Sequence, residues 1–327
     1  MAEQKNNLPY QPNQDIFAKT LERLAAAERN IIAVTSDSRG SGKLGPFGQQ
    51  FPEQLVEVGI AEQNLVGVAA GLASCGKKVF AVSPACFLTA RSLEQIKNDI
   101  AYSDNPVTVV GISAGVSYGA LGSTHHSLHD FAVLRAIHNI TIVAPADNYE
   151  TAKAVELAAA STSPVYLRFG KKPMPNLLEA GSSEEELAGF SFGKGRVIRK
   201  GKDAAIIANG ETVAPAIEAA LKLQQEGLEV TVVSMHTIKP LDKDLLNLLA
   251  AECRCMVTVE EHSVHGGLGE ACAAHLLQQG MAKPFNIMGI PDEYTVTGSQ
   301  LDIFRHYGIT AEGISNTVLS LLNSAHA

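Results

Sequence analysis

Glu62 is the first residue whose position suggests chemistry. It stands just before residues 64–73, a segment built almost entirely from Ala, Val, Leu and Gly that predicts a buried helix. A carboxylate in a first helical turn is favoured by the helix dipole wherever it lies, so position alone proves nothing. The flanking Val58 and Ile60 nevertheless predict that this carboxylate is partly removed from water. In that setting it can share a proton with a neighbouring base.

A second group of reactive side chains lies on a glycine-rich loop. The segment YGALGSTHHSLHD, residues 118–130, carries three histidines within five residues, and His125 and His126 belong to the loop itself. Functional side chains concentrate on loops of this kind. Adjacent histidines rarely bind one metal ion, so we expect no metal site here.

Two further positions are ambiguous from their residue types alone. Phe87 follows a predicted strand and a proline, where an aromatic side chain more often packs in the core than holds a ligand. Arg168 ends a β-branched run, which by itself indicates a surface residue at a strand end.

Short β-branched runs separated by helical patterns must position these residues. In the first half of the chain the runs are residues 31–35, 79–82, 107–111, 140–143 and 165–167. In the second half they are residues 204–208, 230–234, 256–259 and 285–288, with helices predicted at 213–225 and 268–279. This alternation is typical of parallel sheets covered by helices on both faces.

Residues 170–195 are rich in Pro, Gly, Ser and Glu and predict a domain boundary. We therefore expect an α/β protein with two successive three-layer domains and mainly parallel sheets, over residues 1–180 and 190–327. A chain of 327 residues is long enough for two such cores.

Composition and charge exclude several classes of protein. The net charge of −8 and the lack of a Lys/Arg cluster argue against nucleic-acid binding. The polar N-terminal segment lacks the apolar core of a signal peptide, and no apolar run reaches membrane-spanning length, so we expect no membrane association and a cytoplasmic location. Five cysteines, an odd number, indicate reduced thiols.

Two glycine-rich stretches need interpretation. Residues 40–45, GSGKLG, match a dinucleotide-binding pattern, but four residues separate them from the preceding strand and prolines follow, so we do not expect a nicotinamide site. Residues 265–270, HGGLGE, do lie between a strand and a helix. They could bind an anion through backbone amides or allow tight packing of the helix on the strand, and we favour packing.

Several segments together resemble the pyrimidine-binding domain of transketolases. They are GIAEQNLVGVAAGLA, the Phe87 segment, YGALGSTHHSLHDFAVLRAIHNITIVAPADNYET and PVYLRFGKK. The later TVEEHSVHGGLGEACAAHL is similar to the C-terminal domain of that family. The resemblance implies the small, C-terminal subunit of a split transketolase. Such an enzyme transfers a two-carbon ketol unit from a ketose phosphate to an aldose phosphate through thiamine diphosphate.

The resemblance also implies roles for individual residues. Glu62 would be the catalytic glutamate that bonds N1′ of the cofactor's aminopyrimidine ring, and Phe87 would stack on that ring. His125 would contact the donor sugar and assist proton movements, with His126 as a weaker candidate beside it. Arg168 would bind the substrate phosphate, for which a planar fork of donors is well suited.

Departures from the family pattern bear on the substrate and on the assembly. Leu121 stands where an acidic residue contacts a donor hydroxyl, and an upstream family histidine falls near Ser113. The donor can therefore differ from xylulose 5-phosphate, and a branched ketose phosphate such as apulose 4-phosphate remains open. The GDG motif that holds the diphosphate and Mg²⁺ does not occur in this chain. The resemblance thus implies a partner subunit carrying that motif, in an α2β2 assembly with the helix at 64–73 at an interface.

Three alternatives remain open from the sequence. The small chain of a 2-oxoacid dehydrogenase E1 shares the length, the glutamate and the two domains, and half of a deoxyxylulose-phosphate synthase is similar. A non-catalytic scaffold or regulatory relative would keep the fold only for association, although the presence of Glu62, Phe87 and His125 argues against it.

Overall fold

The computed structural model describes residues 11–175, 177 and 189–324 of the chain. In the first half, the strands are β1 (Gln11–Pro12), β2 (Ile31–Thr35), β3 (Leu55–Glu57), β4 (Lys78–Pro84), β5 (Val107–Ile112), β6 (Thr141–Val143), β7 (Val165–Arg168) and β8 (Pro173–Met174). The helices are α1 (Asn13–Ala27), α2 (Gly45–Gln50), α3 (Glu62–Ser74), α4 (Ala85–Arg91), α5 (Leu93–Gln95), α6 (Asp130–Arg135) and α7 (Asn148–Ala160). A π-helix follows α5 at Ile96–Tyr102, and short 3₁₀ turns lie at Pro52–Gln54 and Gly119–Leu121.

The second half repeats the alternation. Its strands are β9 (Arg196–Arg199), β10 (Ala204–Ala208), β11 (Val230–Ser234), β12 (Thr237–Lys239), β13 (Cys255–Ser263) and β14 (Phe285–Ile290). Its helices are α8 (Val213–Gln225), α9 (Lys243–Glu252), α10 (Leu268–Gln278), α11 (Gln300–His306) and α12 (Ala311–Ser324), with a 3₁₀ turn at Gly210–Thr212.

The larger sheet has seven strands in the order β12-β6-β7-β5-β4-β2-β3. All neighbouring pairs from β6 to β3 are parallel, whereas β12 runs antiparallel to β6. The smaller sheet, in the order β14-β13-β10-β11-β9, is parallel except for its edge strand β9. Two α/β domains with mainly parallel sheets are thus confirmed.

Alternate residues of each strand pack into different cores, because successive strand side chains point to opposite faces. In β2, Ile32 and Val34 pack with residues of α3, whereas Ile31 and Ala33 pack with residues of α1. Both faces of the sheet are therefore buried, which is the three-layer arrangement that the apolar runs predict.

All nine predicted strands are present, with ends that shift by up to four residues. The short strands were not predicted from the sequence, and β12 matters most among them. Its three residues lie in the second half of the chain but complete the sheet of the first half, so the backbone passes between the two domains three times. Only one of its residues, Ile238, is apolar, so the strand lacks the apolar run by which the other strands were predicted.

Two structural features bear on the environment of the protein. Among the described residues, none of the helices combines the length and the apolar character needed to cross a bilayer. The five cysteines are unpaired, with Cys75 exposed and the other four buried.

Candidate active site

Neighbouring strands β4, β5 and β7 end at the same edge of the larger sheet. Phe87 lies on α4 directly after β4, the glycine-rich loop of residues 113–129 follows β5, and residues 169–172 follow β7. Ligands of open α/β sheets bind at this carboxyl edge. The fold therefore brings three separate parts of the sequence to one place.

Glu62 is the first residue of α3, and its side chain is only 5% exposed. The carboxylate accepts hydrogen bonds from one guanidinium nitrogen of Arg91, at 3.0 Å to Oε1 and 3.1 Å to Oε2. It borders a surface cavity of about 560 Å³. The lining residues are Ile60, Ala61, Glu62, Gln63, Asn64 and Arg91. This burial agrees with the expectation that the carboxylate is partly removed from water.

Arg91 also covers the ring of Phe87, with its guanidinium carbon 4.3 Å from the ring centroid. The two residues are four positions apart on α4 and so lie on one face of the helix. A planar cation thus lies between a buried carboxylate and an aromatic face.

His125 also contacts Phe87. Its ring lies edge-on to Phe87 and to Tyr118, with 5.4 Å between ring centroids in both cases. The ammonium group of Lys171 lies 4.2 Å from the centroid of the Tyr118 ring. Partial desolvation lowers the pKa of Lys171, and the positive charge of Lys43 adds to the effect.

These contacts form an unbroken series, which we call the open row. Its members are Glu62, Arg91, Phe87, His125, Tyr118 and Lys171. It runs from a proton-accepting group, over aromatic faces, to an imidazole and then to a cation. A flat heteroaromatic group would fit at the carboxylate end, and an anion would fit at the lysine end.

His126 does not belong to the open row, although it is adjacent in sequence to His125. It is buried, with Nε2 2.9 Å from the carbonyl oxygen of Gly119 and Nδ1 2.7 Å from the hydroxyl of Thr295. A carbonyl only accepts, so Nε2 donates and Nδ1 accepts from the hydroxyl. Burial lowers the pKa of His126, which favours the neutral imidazole. The substrate contact implied for His126 does not fit this setting, because both ring nitrogens already have partners: Nε2 bonds within the loop, and Nδ1 ties the loop to Thr295 of the second domain.

Arg168 lies in a second cluster, which we call the closed network. Its members are Arg168, Asp130, Phe131, His262, Glu261, Glu211 and Gln300. Arg168 Nε donates to Asp130 Oδ2 at 2.8 Å, and another guanidinium nitrogen donates to the backbone oxygens of Glu261 and Ser127. The guanidinium also covers the ring of Phe131, at 4.6 Å. The phosphate contact implied for Arg168 does not fit, because its side chain is buried between the domains and points at acceptors of its own chain.

The acidic members of the closed network have opposite pKa shifts. Burial would raise the pKa of Asp130, but the nearby Arg168 and His262 outweigh it and hold the pKa below its usual value. Burial raises the pKa of Glu261 to about 8, and the neighbouring Glu211 adds to this shift. Both glutamates accept hydrogen bonds from the amide of Gln300. Burial also raises the pKa of Glu211, so the environment of this pair favours the protonated form of its carboxyl groups.

The HGGLG segment proves to be a packing site. The backbone amides of Leu268 and Gly269 donate to the buried carboxylate of Glu260, at 2.7 and 2.8 Å. These are the amides that would bind an anion at the start of α10, and the chain supplies its own carboxylate there. Among the alternatives left open for this segment, tight strand-to-helix packing is confirmed.

Both halves of the chain match domains of a known family. Residues 11–176 match the description "Transketolase, pyrimidine binding domain", and residues 193–314 match "Transketolase, C-terminal domain". The chain belongs to the transketolase family.

Its relatives include chains of similar length. An apulose-4-phosphate transketolase subunit of Phocaeicola vulgatus is 47% identical over 306 residues, covering 94% of this chain and 96% of the relative. The subunit of the same name from Actinobacillus succinogenes is 38% identical over 305 residues, covering 92% and 96%. 1-Deoxy-D-xylulose-5-phosphate synthase of Magnetococcus marinus is 38% identical, but the match covers only 49% of that enzyme.

Among solved structures, a "split gene transketolase, inactive beta4 tetramer" superimposes with a TM-score of 0.85 and 34% identity, covering 96% of this chain and 99% of the other. A transketolase from Pichia stipitis shares the fold, with a TM-score of 0.79 at 20% identity. The prediction of a split-transketolase subunit is thereby confirmed.

Thiamine diphosphate is the cofactor that this family implies, and the open row fits its aminopyrimidine end. Glu62 offers a carboxylate to a ring nitrogen, and Phe87 offers a face for stacking. The planar cation of Arg91 already makes both kinds of contact, so the space between the two residues suits a flat, nitrogen-bearing group.

Three members of the open row were not predicted from the sequence: Arg91, Tyr118 and Lys171. The spacing of Phe87 and Arg91, four positions apart on a predicted helix, was the available signal for Arg91. Lys171 belongs to a lysine pair directly after a strand end, where ligand-binding loops of α/β sheets begin. The departures from the family pattern also lie in the loop of His125. Leu121 is 55% exposed, and Ser113 is buried directly after β5.

Proposed function

We propose that this chain is the small subunit of a thiamine-diphosphate-dependent transketolase that moves a two-carbon ketol unit from a ketose phosphate to an aldose phosphate. Residues 1–180 form its pyrimidine-binding domain and residues 190–327 its C-terminal domain. The observation that carries the proposal is the open row, in which a buried carboxylate, an aromatic face, an imidazole and a cation follow one another in contact.

Glu62 has the central role at the cofactor end. When bound, thiamine diphosphate supplies the carbon nucleophile that accepts the ketol unit. Glu62 holds the proton that is shared with the aminopyrimidine ring, and its 5% exposure keeps water from competing for that hydrogen bond. Phe87 orients the ring by stacking, since aromatic pairs gain energy beyond their buried area.

His125 and Lys171 serve the sugar. His125 is half-buried beside Phe87, and its hydrogen bond with the Thr124 hydroxyl, at 3.0 Å from Nδ1, leaves Nε2 for a substrate oxygen. Lys171 takes the role that the resemblance had implied for Arg168. Its ammonium group is exposed at the far end of the row, where it can bind a substrate phosphate.

The site is completed by another chain. The GDG motif for the diphosphate and Mg²⁺ is absent from this sequence, and the two apulose-4-phosphate transketolase relatives are each named as one subunit of an enzyme. The similar split-gene chain is described as inactive when it forms a β4 tetramer. We therefore propose an α2β2 enzyme in which a GDG-bearing partner holds the diphosphate and Mg²⁺, and in which this chain alone is inactive.

Apulose 4-phosphate, a branched ketose phosphate, is the donor that we propose. The two relatives named for it are 47% and 38% identical to this chain over almost their whole lengths. Leu121 supports a donor other than xylulose 5-phosphate, because its exposed apolar side chain cannot accept a hydrogen bond from a sugar hydroxyl.

The test is ketol transfer by the purified chain mixed with its GDG-bearing partner, thiamine diphosphate and Mg²⁺. We expect transfer from apulose 4-phosphate to an aldose phosphate by the mixture and none by either chain alone. Glu62→Gln should lower turnover about a thousandfold, because the amide keeps the shape but not the proton transfer. Circular dichroism of the variant checks that its fold is unchanged.

Two outcomes would contradict the proposal. An assembled mixture that uses pyruvate but no ketose phosphate would favour the deoxyxylulose-phosphate synthase alternative. A mixture that binds the cofactor but transfers nothing from either donor would favour the scaffold alternative.

A further inference from the structure

Arg91 makes, within this chain, the same two contacts that the proposed function assigns to the aminopyrimidine ring. One nitrogen of its guanidinium bridges both oxygens of Glu62, at 3.0 and 3.1 Å, and the group covers the ring of Phe87 at 4.3 Å. A guanidinium and a protonated aminopyrimidine are both flat, positively charged and rich in N–H donors. The two groups are thus alternative occupants of one position.

We propose that Arg91 is a displaceable placeholder for the aminopyrimidine ring: it balances the charge of Glu62 until the cofactor enters, and it must swing outward for the cofactor to bind. This inference rests on the proposed function and adds a conformational step to cofactor loading. It makes Arg91 a residue that controls occupancy of the site, without a role in the chemical step.

Several features of Arg91 suit such a movement. It is the last residue of α4, and Ser92 already leaves the helical conformation. Its side chain is 49% exposed, so an outward rotamer reaches solvent without unpacking the core. The cavity of about 560 Å³ beside it lies on the Glu62 side of the guanidinium. Among the described residues, the hydrogen bonds to Glu62 and the stacking on Phe87 are the only hydrogen bonds and ring contacts of its side chain.

The energetic consequence follows from the burial of Glu62. Without Arg91, the carboxylate of Glu62 would lose its ion-pair partner and would depend on water entering the cavity, at a modest cost in stability. Arg91 therefore stabilises the chain before loading, and the same contacts must be broken during loading. A ligand that can bind only when this contact is open has a lower apparent affinity. The affinity is reduced in proportion to the fraction of molecules in which the contact is open.

The experiment measures cofactor binding instead of activity. Thiamine diphosphate with Mg²⁺ is titrated calorimetrically into the complex of the full chain with its GDG-bearing partner, for the wild type and Arg91→Ala. We expect the variant to bind about tenfold more tightly and to associate faster, because an ion pair of this exposure plus a cation–π contact amounts to roughly one tenfold step. The unliganded variant should melt at a lower temperature, and the cofactor should raise its melting temperature further than that of the wild type.

Two variants serve as controls. Arg91→Lys keeps the charge but cannot stack as a plane, and we expect its affinity to lie between the other two. Lys97 lies in the π-helix that follows α4 and α5. Lys97→Ala removes one exposed positive charge there and should leave cofactor affinity unchanged.

The possible outcomes separate this inference from the proposed function. Equal or weaker binding by Arg91→Ala, with normal binding by the wild type, would overturn the placeholder role and leave the proposed function intact. A lower melting temperature without tighter binding would likewise make Arg91 a structural residue only. Absence of cofactor binding by every variant of the assembled complex would overturn both.

Discussion

Two arginines of this chain make the same pair of contacts in opposite surroundings. Arg91 pairs with Glu62 at 3.0 Å and covers Phe87 at 4.3 Å, whereas Arg168 pairs with Asp130 at 2.8 Å and covers Phe131 at 4.6 Å. Their side chains are 49% and 5% exposed, respectively. The contact geometry is the same, so the difference lies in burial. A half-exposed arginine can be displaced by a ligand, whereas a buried one stabilises the fold.

The difference also corrects an interpretation based on the family resemblance. A strand-end arginine in a family of phosphate-binding enzymes is a natural candidate for the substrate phosphate. In this fold, however, the second domain covers Arg168, and the backbone oxygen of Glu261 takes one of its donors. In the proposed site, Lys171 of the open row takes this role instead, because its side chain is exposed.

Arg168→Ala should have the largest effect on the stability of the chain. We expect the free energy of unfolding to fall by about 3–5 kcal/mol, because Asp130 would be left as a buried, unpaired charge. Arg91→Ala should cost about 1 kcal/mol or less, since its partner gains access to water once the half-exposed arginine is gone. Urea denaturation of both variants measures the difference, and equal losses would contradict the distinction between the two surroundings.

Glu261→Gln tests the protonated state of the closed network. A carboxyl group with a raised pKa keeps its proton in the folded chain while the unfolded chain loses it, so stability should fall as pH rises from about 4.5 to about 8. For one proton the slope is about 1.4 kcal/mol per pH unit. Glu261→Gln should flatten this slope in urea denaturation between pH 5 and pH 8. An unchanged slope would show that the carboxyl is ionised throughout.

His125 and His126 are adjacent in sequence but lie in different surroundings: His125 belongs to the open row, and His126 is buried. We expect His125→Ala to lower kcat/KM of the assembled enzyme about a hundredfold without changing stability, as loss of a proton-transfer group does. His126→Ala should instead cost about 1–3 kcal/mol of stability, because the buried Gly119 carbonyl loses its donor and Thr295 keeps only its hydrogen bond with Ser123. Kinetics at saturating cofactor, together with thermal melts, separate the two effects. A reversed pattern would exchange their roles.

Lys171→Ala should have the smallest effect. Loss of one exposed phosphate contact should raise KM for the ketose phosphate about tenfold and leave kcat nearly unchanged, since binding in the ground and transition states is lost equally. The comparison to make is with Lys97→Ala, which should leave KM as it is. A fall in kcat with unchanged KM would place Lys171 in the chemical step instead.

Local signals explain what the sequence could predict. Strands such as residues 204–208 are continuous apolar runs between turns, and their bounds agree with the structure. Glu62 was singled out by its position before an apolar segment, and the roles of Glu62 and Phe87 came from the family resemblance; their contact through Arg91 fits the expected site. Burial of Arg168 and His126 depends on Glu261 and Thr295, more than 90 positions away, and no local pattern encodes such packing.

The strand β12 has a consequence for how the protein is made. Thr237 pairs with Val143, 94 positions earlier (237 − 143), and thereby covers the outer edge of β6. A ribosome adds about 5–20 residues per second. The outer edge of β6 is therefore without its partner strand for on the order of 5–20 seconds during synthesis. An uncovered strand edge invites pairing with other chains. Nascent chains of this protein therefore pass through an interval in which chaperone capture of β6 competes with aggregation.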